Sequence, residues 1–422
     1  MAPRLVRYLG AFPLPALFGL LCVTCTGQAH FIANPTRFLV CDHGDGSFTG
    51  ALPKEASNPG ITVSVGAAKQ QNGFAVRACE AKLVWGRHEL LVRPEAAQAD
   101  IDVMGADLGL GSLVVAFQIK TTDADPQIKY EIYSMSKLPK LLRTITGEDF
   151  FSAADTRLDQ SVEIWTTDAV AVNGFENLPR NAFDFAPTVV MRFENRKLID
   201  VSSEFRSYFD QQIALLRSQL NAQQLSDFKQ SDGKLSNDRP STKDPLLMTK
   251  IKVIEMVWCY LYSDREQEAW ETLAAMWPPA DLERIRAAIV TAQSRGLRSQ
   301  MDGVSHKGPP PRPRHSEILE PMAQDMRSLG RDVTPDQRAR YADTEPQQLL
   351  LRVPPPPDPK DWSEERQMGL VIDEAGKVRS AGMQGEPDKD WINAAAGWKY
   401  IPAFKDGHPA AFRLNLDVHR NR

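Results

Sequence analysis

Twelve of the chain's thirty prolines fall within residues 302–359, in runs such as Pro309-Pro310-Pro311 and Pro354-Pro355-Pro356-Pro357. A ring that fixes φ and removes the backbone donor is excluded from helix interiors and central strands. Such stretches favour extended polyproline II and act as semi-rigid spacers. The composition therefore predicts a linker over 302–359, with Ser316–Leu329 as a short helix between its two proline clusters. What lies on either side has to fold as separate units, so the chain reads as multi-domain α+β.

Upstream, residues 30–205 are dominated by short strand patterns, among them Ile61–Val65, Ala81–Trp85, Leu113–Ile119, Tyr130–Tyr133 and Val189–Phe193, separated by Gly, Asp and Pro clusters. Two strand trios, from Val114 to Ile145 and from Val162 to Val201, begin about 48 residues apart, close to the length of a propeller blade. A sandwich and a partial propeller-like stack both accommodate this. Residues 206–301 turn helical: Phe209, Ile213 and Leu216 recur at helical spacing, as do Leu247, Ile251, Ile254 and Trp258. The stretch from Trp258 to Met276 is similar to a single tetratricopeptide-like hairpin, with its Trp/Tyr stripe read as core.

The first 29 residues read as a signal peptide. Arg4 and Arg7 precede the apolar run Ala11–Val23, and Gly27-Gln28-Ala29 sets a cut before His30. The alternative is an inner-membrane anchor through residues 8–25, but the run is short and carries Pro13 and Pro15. Cleavage predicts a periplasmic or secreted protein, with membrane association only if the segment is retained. Cys41 and Cys79, both in the β-rich region, are then the expected disulfide, and Cys259 an inert buried thiol.

Downstream, Met368, Leu370 and Ile372 alternate, Asp373–Gly376 is turn chemistry, and Val378–Met383 returns as a strand. Asp388 is a helix N-cap before the stripe Trp391, Ala394, Ala395, Trp398. Phe412, Leu414, Leu416 and Val418 then alternate with Arg413, Asn415, Asp417 and His419, a strand with one buried face. The result is a ββαβ unit over 360–422. This order, with Trp398-x-Tyr400-x-Pro402-Ala403 and Asp406-Gly407-x-Pro409, resembles the C-terminal domain of the TonB energy-transducer family. The resemblance implies a small partner-binding module that offers a sheet edge to an extended segment of an outer-membrane TonB-dependent receptor. Phe412, Arg413, Asn415 and Asp417 on the closing strand are the partner-binding candidates, and Trp398, Pro402 and Gly407 are scaffold. One departure matters. A transducer needs a lasting inner-membrane anchor, so a cleaved chain would bind without pulling. The alternative is a periplasmic scaffold or ligand-binding protein that uses the β-rich domain.

Chemistry is sparse. Asp155–Glu163 is similar to an Asp-rich calcium loop, but Arg157 takes a ligand position and Gln160 the place of the usual Gly. The polar cluster Cys41–Gly46 is turn chemistry without a nucleophile and base. His30 as a new N-terminus, with a second His such as His88, would make a copper site, but its neighbours do not match one. Ala106-Asp107 breaks dinucleotide-type spacing among Gly105, Gly109 and Gly111. No catalytic residue, cofactor or metal is expected. The net charge of −4, with no basic stripe, excludes a nucleic-acid binder.

Overall fold

Alternating burial along three successive stretches builds three antiparallel meanders. In the computed structural model the described residues are 39–54, 60–69, 77–234, 244–308, 317–321, 339–346, 349–353, 366–385 and 387–418. After β1 (Cys41–Asp42), the first meander comprises β2 (Phe48–Ala51), β3 (Thr62–Ala67), β4 (Cys79–Trp85) and β5 (His88–Ala96). The second is β6 (Gln98–Asp107), β7 (Leu113–Lys120), β8 (Ile128–Ser134) and β9 (Leu141–Gly147). The third is β10 (Phe151–Ala154), β11 (Glu163–Thr167), β12 (Thr188–Glu194) and β13 (Lys197–Asp200), with the short α1 (Ala169–Val172) between its second and third strands. The two strand trios seen in the sequence are the last three strands of the second and third sheets.

The second sheet is sandwiched. One face (Ile101, Met104, Val115, Phe117, Ile119) meets Val63, Val65, Ala81 and Leu83 of the first sheet. The other (Val103, Val114, Ala116, Tyr130, Ile132) shares a core with the third sheet and the helices. Those helices are α2 (Arg206–Gln219), α3 (Ala222–Lys229), α4 (Pro245–Tyr262), α5 (Glu266–Met276) and α6 (Leu282–Arg295). Asp244 caps α4, whose first residue is Pro245, so the missing ring N–H costs nothing there. Trp258 is fully buried against Phe175 and Phe183.

Sheet margins are closed deliberately. The Gln300 side chain accepts from Thr146 N–H and donates to Thr146 C=O, standing in for a strand beside β9. β14 (Gly303–Val304) runs parallel to β13. Residues 303–304 thus belong to a sheet, and the spacer expected over 302–359 is corrected over its described parts. Leu319 and Glu320 form isolated bridges rather than a helix, and β15 (Leu349–Leu351) pairs with β18 (Lys399–Tyr400). Proline density excludes long elements but not single rungs, and apolar residues between the prolines supply these.

The last region has strand, strand, helix, strand order: β16 (Arg366–Ile372), β17 (Val378–Met383), α7 (Lys389–Ala396) and β21 (Phe412–Val418), with the hairpin β19 (Ala403–Lys405) and β20 (His408–Ala410) before the last strand. Asp388 caps α7 by accepting from the N–H groups of Asp390 and Trp391. Trp391, Ala395 and Trp398 pack on Met368, Leu370 and Ile372. The chain as a whole is a mixed α+β fold with several antiparallel sheets.

Candidate functional site

The strand order β17-β16-β21 places β21 at a margin of its sheet. Its residues pair one to one with β16, from Ile372 opposite Phe412 to Arg366 opposite Val418. Arg413 N–H donates away from β16, to Leu319 C=O at 2.8 Å, so the backbone groups of Arg413, Asn415 and Asp417 all point outward. Among the described residues, no backbone group pairs with the outward N–H and C=O of Asn415 and Asp417. The side chains of Arg413, Asn415 and Asp417 are exposed on one face. Phe412 is different. It lies on the opposite face, buried against Leu319 and Ala403, so in this structure the chain's own Leu319 covers it.

The region carrying this edge is bolted to the β-meanders. Lys399 Nζ donates to Asp100 Oδ2 at 2.7 Å and to Ile101 C=O at 2.9 Å. Lys377 Nζ donates to Asp102 Oδ1 and to Asp102 C=O. All four side chains are buried. The two ammonium groups cap carbonyls on the free margin of β6, which β1 covers only at Gln98 and Ala99. Asp102 Oδ2 also accepts from Tyr130 Oη at 2.7 Å and Ala153 N–H at 2.8 Å, which ties the second and third sheets to the same carboxylate. Burial pulls the Lys399 ammonium below its ordinary pKa, and Asp100 opposes this.

A second strut is the 373–377 turn. Asp373 Oδ1 accepts from Ala375 and Lys377 N–H, while Oδ2 accepts from Asp155 N–H of the third sheet at 2.9 Å. Burial pushes the Asp373 carboxyl up to about 7. Gly376 is required here: its φ is +78°, and a Cβ would collide with the Tyr400 carbonyl. Gly105, at φ +87°, leaves the seat into which Phe404 and Ile401 insert beside Leu52.

The calcium-like loop uses its own carboxylates. Asp155 accepts from the N–H groups of Asp159 and Gln160, and Asp159 from Ser161 N–H and the Arg157 guanidinium. Arg157 and Arg192 flank Glu163 and Glu204 beside a polar cavity of about 340 Å³. Burial pushes Glu163 up to about 8 even between two guanidinium groups. No cluster of three metal-ligating side chains occurs among the described residues.

Cys41 and Cys79 are joined in a disulfide, and Cys259 is buried and free, its thiol pushed up by burial. Next to the disulfide, His43 is clamped between Asp42 and Asp123 at 2.6 and 2.8 Å, and these carboxylates raise its pKa, Asp123 most. His88 is exposed and stacks on Trp85. Gly109 and Gly111 sit in the β6–β7 turn. The expected signal peptide and His30 lie outside the described residues. Among the described residues no helix is long and apolar enough to cross a membrane. Comparison with known proteins found no matching family model, no similar curated protein and no similar solved structure.

Proposed function

We propose that this chain is a non-enzymatic protein of the bacterial envelope that binds an extended segment of a partner protein by strand addition to β21. The observation that carries this reading is the outward-facing backbone of Asn415 and Asp417, which no strand among the described residues pairs, on a marginal strand with a packed inner face. Strand addition needs such a row: main-chain hydrogen bonds supply affinity, and alternate side chains set register. The ββαβ order and the Trp398-x-Tyr400-x-Pro402 segment support a TonB-like module, and by that resemblance the partner is an outer-membrane receptor. The buried lysine–aspartate pairs support a second element of the reading. A module fixed to the meanders presents its edge from a rigid mount, which suits a binding scaffold better than a transducer that moves on a spacer.

The test uses Asn415→Pro. Proline removes an N–H that points away from β16, so the existing sheet keeps its hydrogen bonds while the added strand loses one. Envelope proteins crosslinked through a photoreactive group at position 417 should be lost from the Asn415→Pro chain. Recovery of the same proteins at the same yield would remove the strand-addition reading.

A further inference from the structure

One end of the β21 margin is already filled by the chain itself. Leu319 N–H donates to Ala411 C=O at 2.9 Å, and Leu319 C=O accepts from Arg413 N–H at 2.8 Å, a parallel bridge. The Leu319 side chain, 4% exposed, is packed with Ala403 and Phe412, with Ala410 and Leu414 alongside. Glu320 faces the other way: its N–H donates to Arg340 C=O at 2.9 Å, and it bridges Tyr341 in parallel. Among the described residues the pairing with β21 goes no further, and Pro321 supplies a chemical reason. In a parallel ladder the residue two positions after Leu319 donates to the Arg413 carbonyl. That residue is Pro321, which has no N–H.

We infer that residues 317–321 are an internal ligand of the β21 edge, holding the apolar seat and first rung that a partner segment needs, and that the partner binds by displacing them. The inference rests on the strand-addition reading above and adds its regulation. It also defines the partner's chemistry. The segment runs parallel to β21, places an aliphatic side chain in the Leu319 seat, and carries a residue other than proline two positions on. That residue's N–H then reaches the Arg413 carbonyl, and the following groups reach Asn415 and Asp417. Among the described residues the contact with β21 is a single rung that meets a proline, and the Glu320 bridge to Tyr341 lies on the segment's other edge, so a longer uninterrupted strand gains rungs on β21 that residues 317–321 lack.

The probe is a fluorescein-labelled peptide with the sequence of residues 316–324 and threonine in place of Pro321, titrated with the full chain by anisotropy. Leu319→Ala in the chain should tighten binding by about tenfold or more, because truncating a buried leucine removes at least that factor from the competing equilibrium. Pro321→Thr in the chain changes an exposed residue and supplies the missing donor, so it should weaken peptide binding relative to wild type. Equal affinities for wild type, Leu319→Ala and Pro321→Thr would overturn the internal-ligand inference while leaving the edge reading intact, provided Asn415→Pro still abolishes binding. Absence of binding to every form, or binding indifferent to Asn415→Pro, would overturn both.

Discussion

Lys399→Met tests whether the C-terminal module is held by its buried ion pairs. Lys399 donates to Asp100 at 2.7 Å, and without it the buried carboxylate keeps, among the described residues, the Val40 N–H at 3.2 Å. The Ile101 carbonyl loses a donor as well. Removing one member of a buried pair leaves an uncompensated charge and costs about 3–5 kcal/mol. In the Asp100→Asn/Lys399→Met double variant no charge is stranded and the amide oxygen still accepts from Val40. The double variant should therefore be destabilised by only about 1–2 kcal/mol. The two substitutions should couple by about 2 kcal/mol. Equilibrium urea unfolding gives the energies, and hydrogen exchange on peptides covering 98–107 and 366–405 shows where protection is lost. A Lys399→Met chain within about 0.5 kcal/mol of wild type, or no coupling in the cycle, would refute the latch.

Three further outcomes follow from the geometry. Glu163, Glu255 and Asp373 are pushed up to about 8, 8 and 7 by burial, so the folded chain retains protons that the unfolded chain has released. Their contribution to stability is present below the ordinary carboxylate range and is lost as pH rises through 7 to 8. Glu255→Gln should flatten the fall in thermal stability between pH 5 and 8.5 by up to about 1.4 kcal/mol per pH unit, and an unchanged slope would contradict the assignment. Gly105→Ala places a Cβ 2.7 Å from Leu52 Cδ2 and 3.1 Å from the Phe404 ring at positive φ. It should cost about 1–3 kcal/mol in urea unfolding, with exchange protection lost first around Phe404. Cys41→Ala/Cys79→Ala opens a link across 38 residues and should lower stability by about 2–4 kcal/mol, read as a melting shift that reducing agent reproduces in the wild type.

The parts legible in the sequence are those whose signals are local. Strict alternation from Phe412 to Val418 marks a strand because side chains flip every residue, and Asp388 marks a helix start because its carboxylate serves amides two and three positions on. β6 is only partly legible, as a possible strand before Gly105, since both its faces are buried and Asp100, Asp102 and Gly105 interrupt the apolar run. β10 has four residues, too few for periodicity, and α3 has a single buried apolar side chain, Phe228. The open part of the candidate edge was readable from Arg413, Asn415 and Asp417. That Leu319 covers Phe412 was not readable, because strand pattern shows which residues share a face, not which face a neighbouring segment covers. Lys377 and Lys399 carry no local mark at all: their partners lie hundreds of residues upstream, and a lysine in a turn or short strand usually faces water. The rungs at Leu319 and Leu349–Leu351 were not legible, because proline content reports on a segment's freedom to form long elements and is silent on where its few apolar residues dock.

The latch has a consequence for the order in which the chain is completed. Lys377 reaches back 275 residues to Asp102, and Lys399 reaches back 299 to Asp100. Until residues 377–399 have been synthesised, β6 presents bare carbonyls and two carboxylates without these counter-charges, a template for pairing with another chain. Loop closure over such distances comes late, after local sheets and helices have formed. The two lysines therefore act as a late seal: a chain that lacks residues 377–399 keeps its central sheet open, while one that contains them closes it.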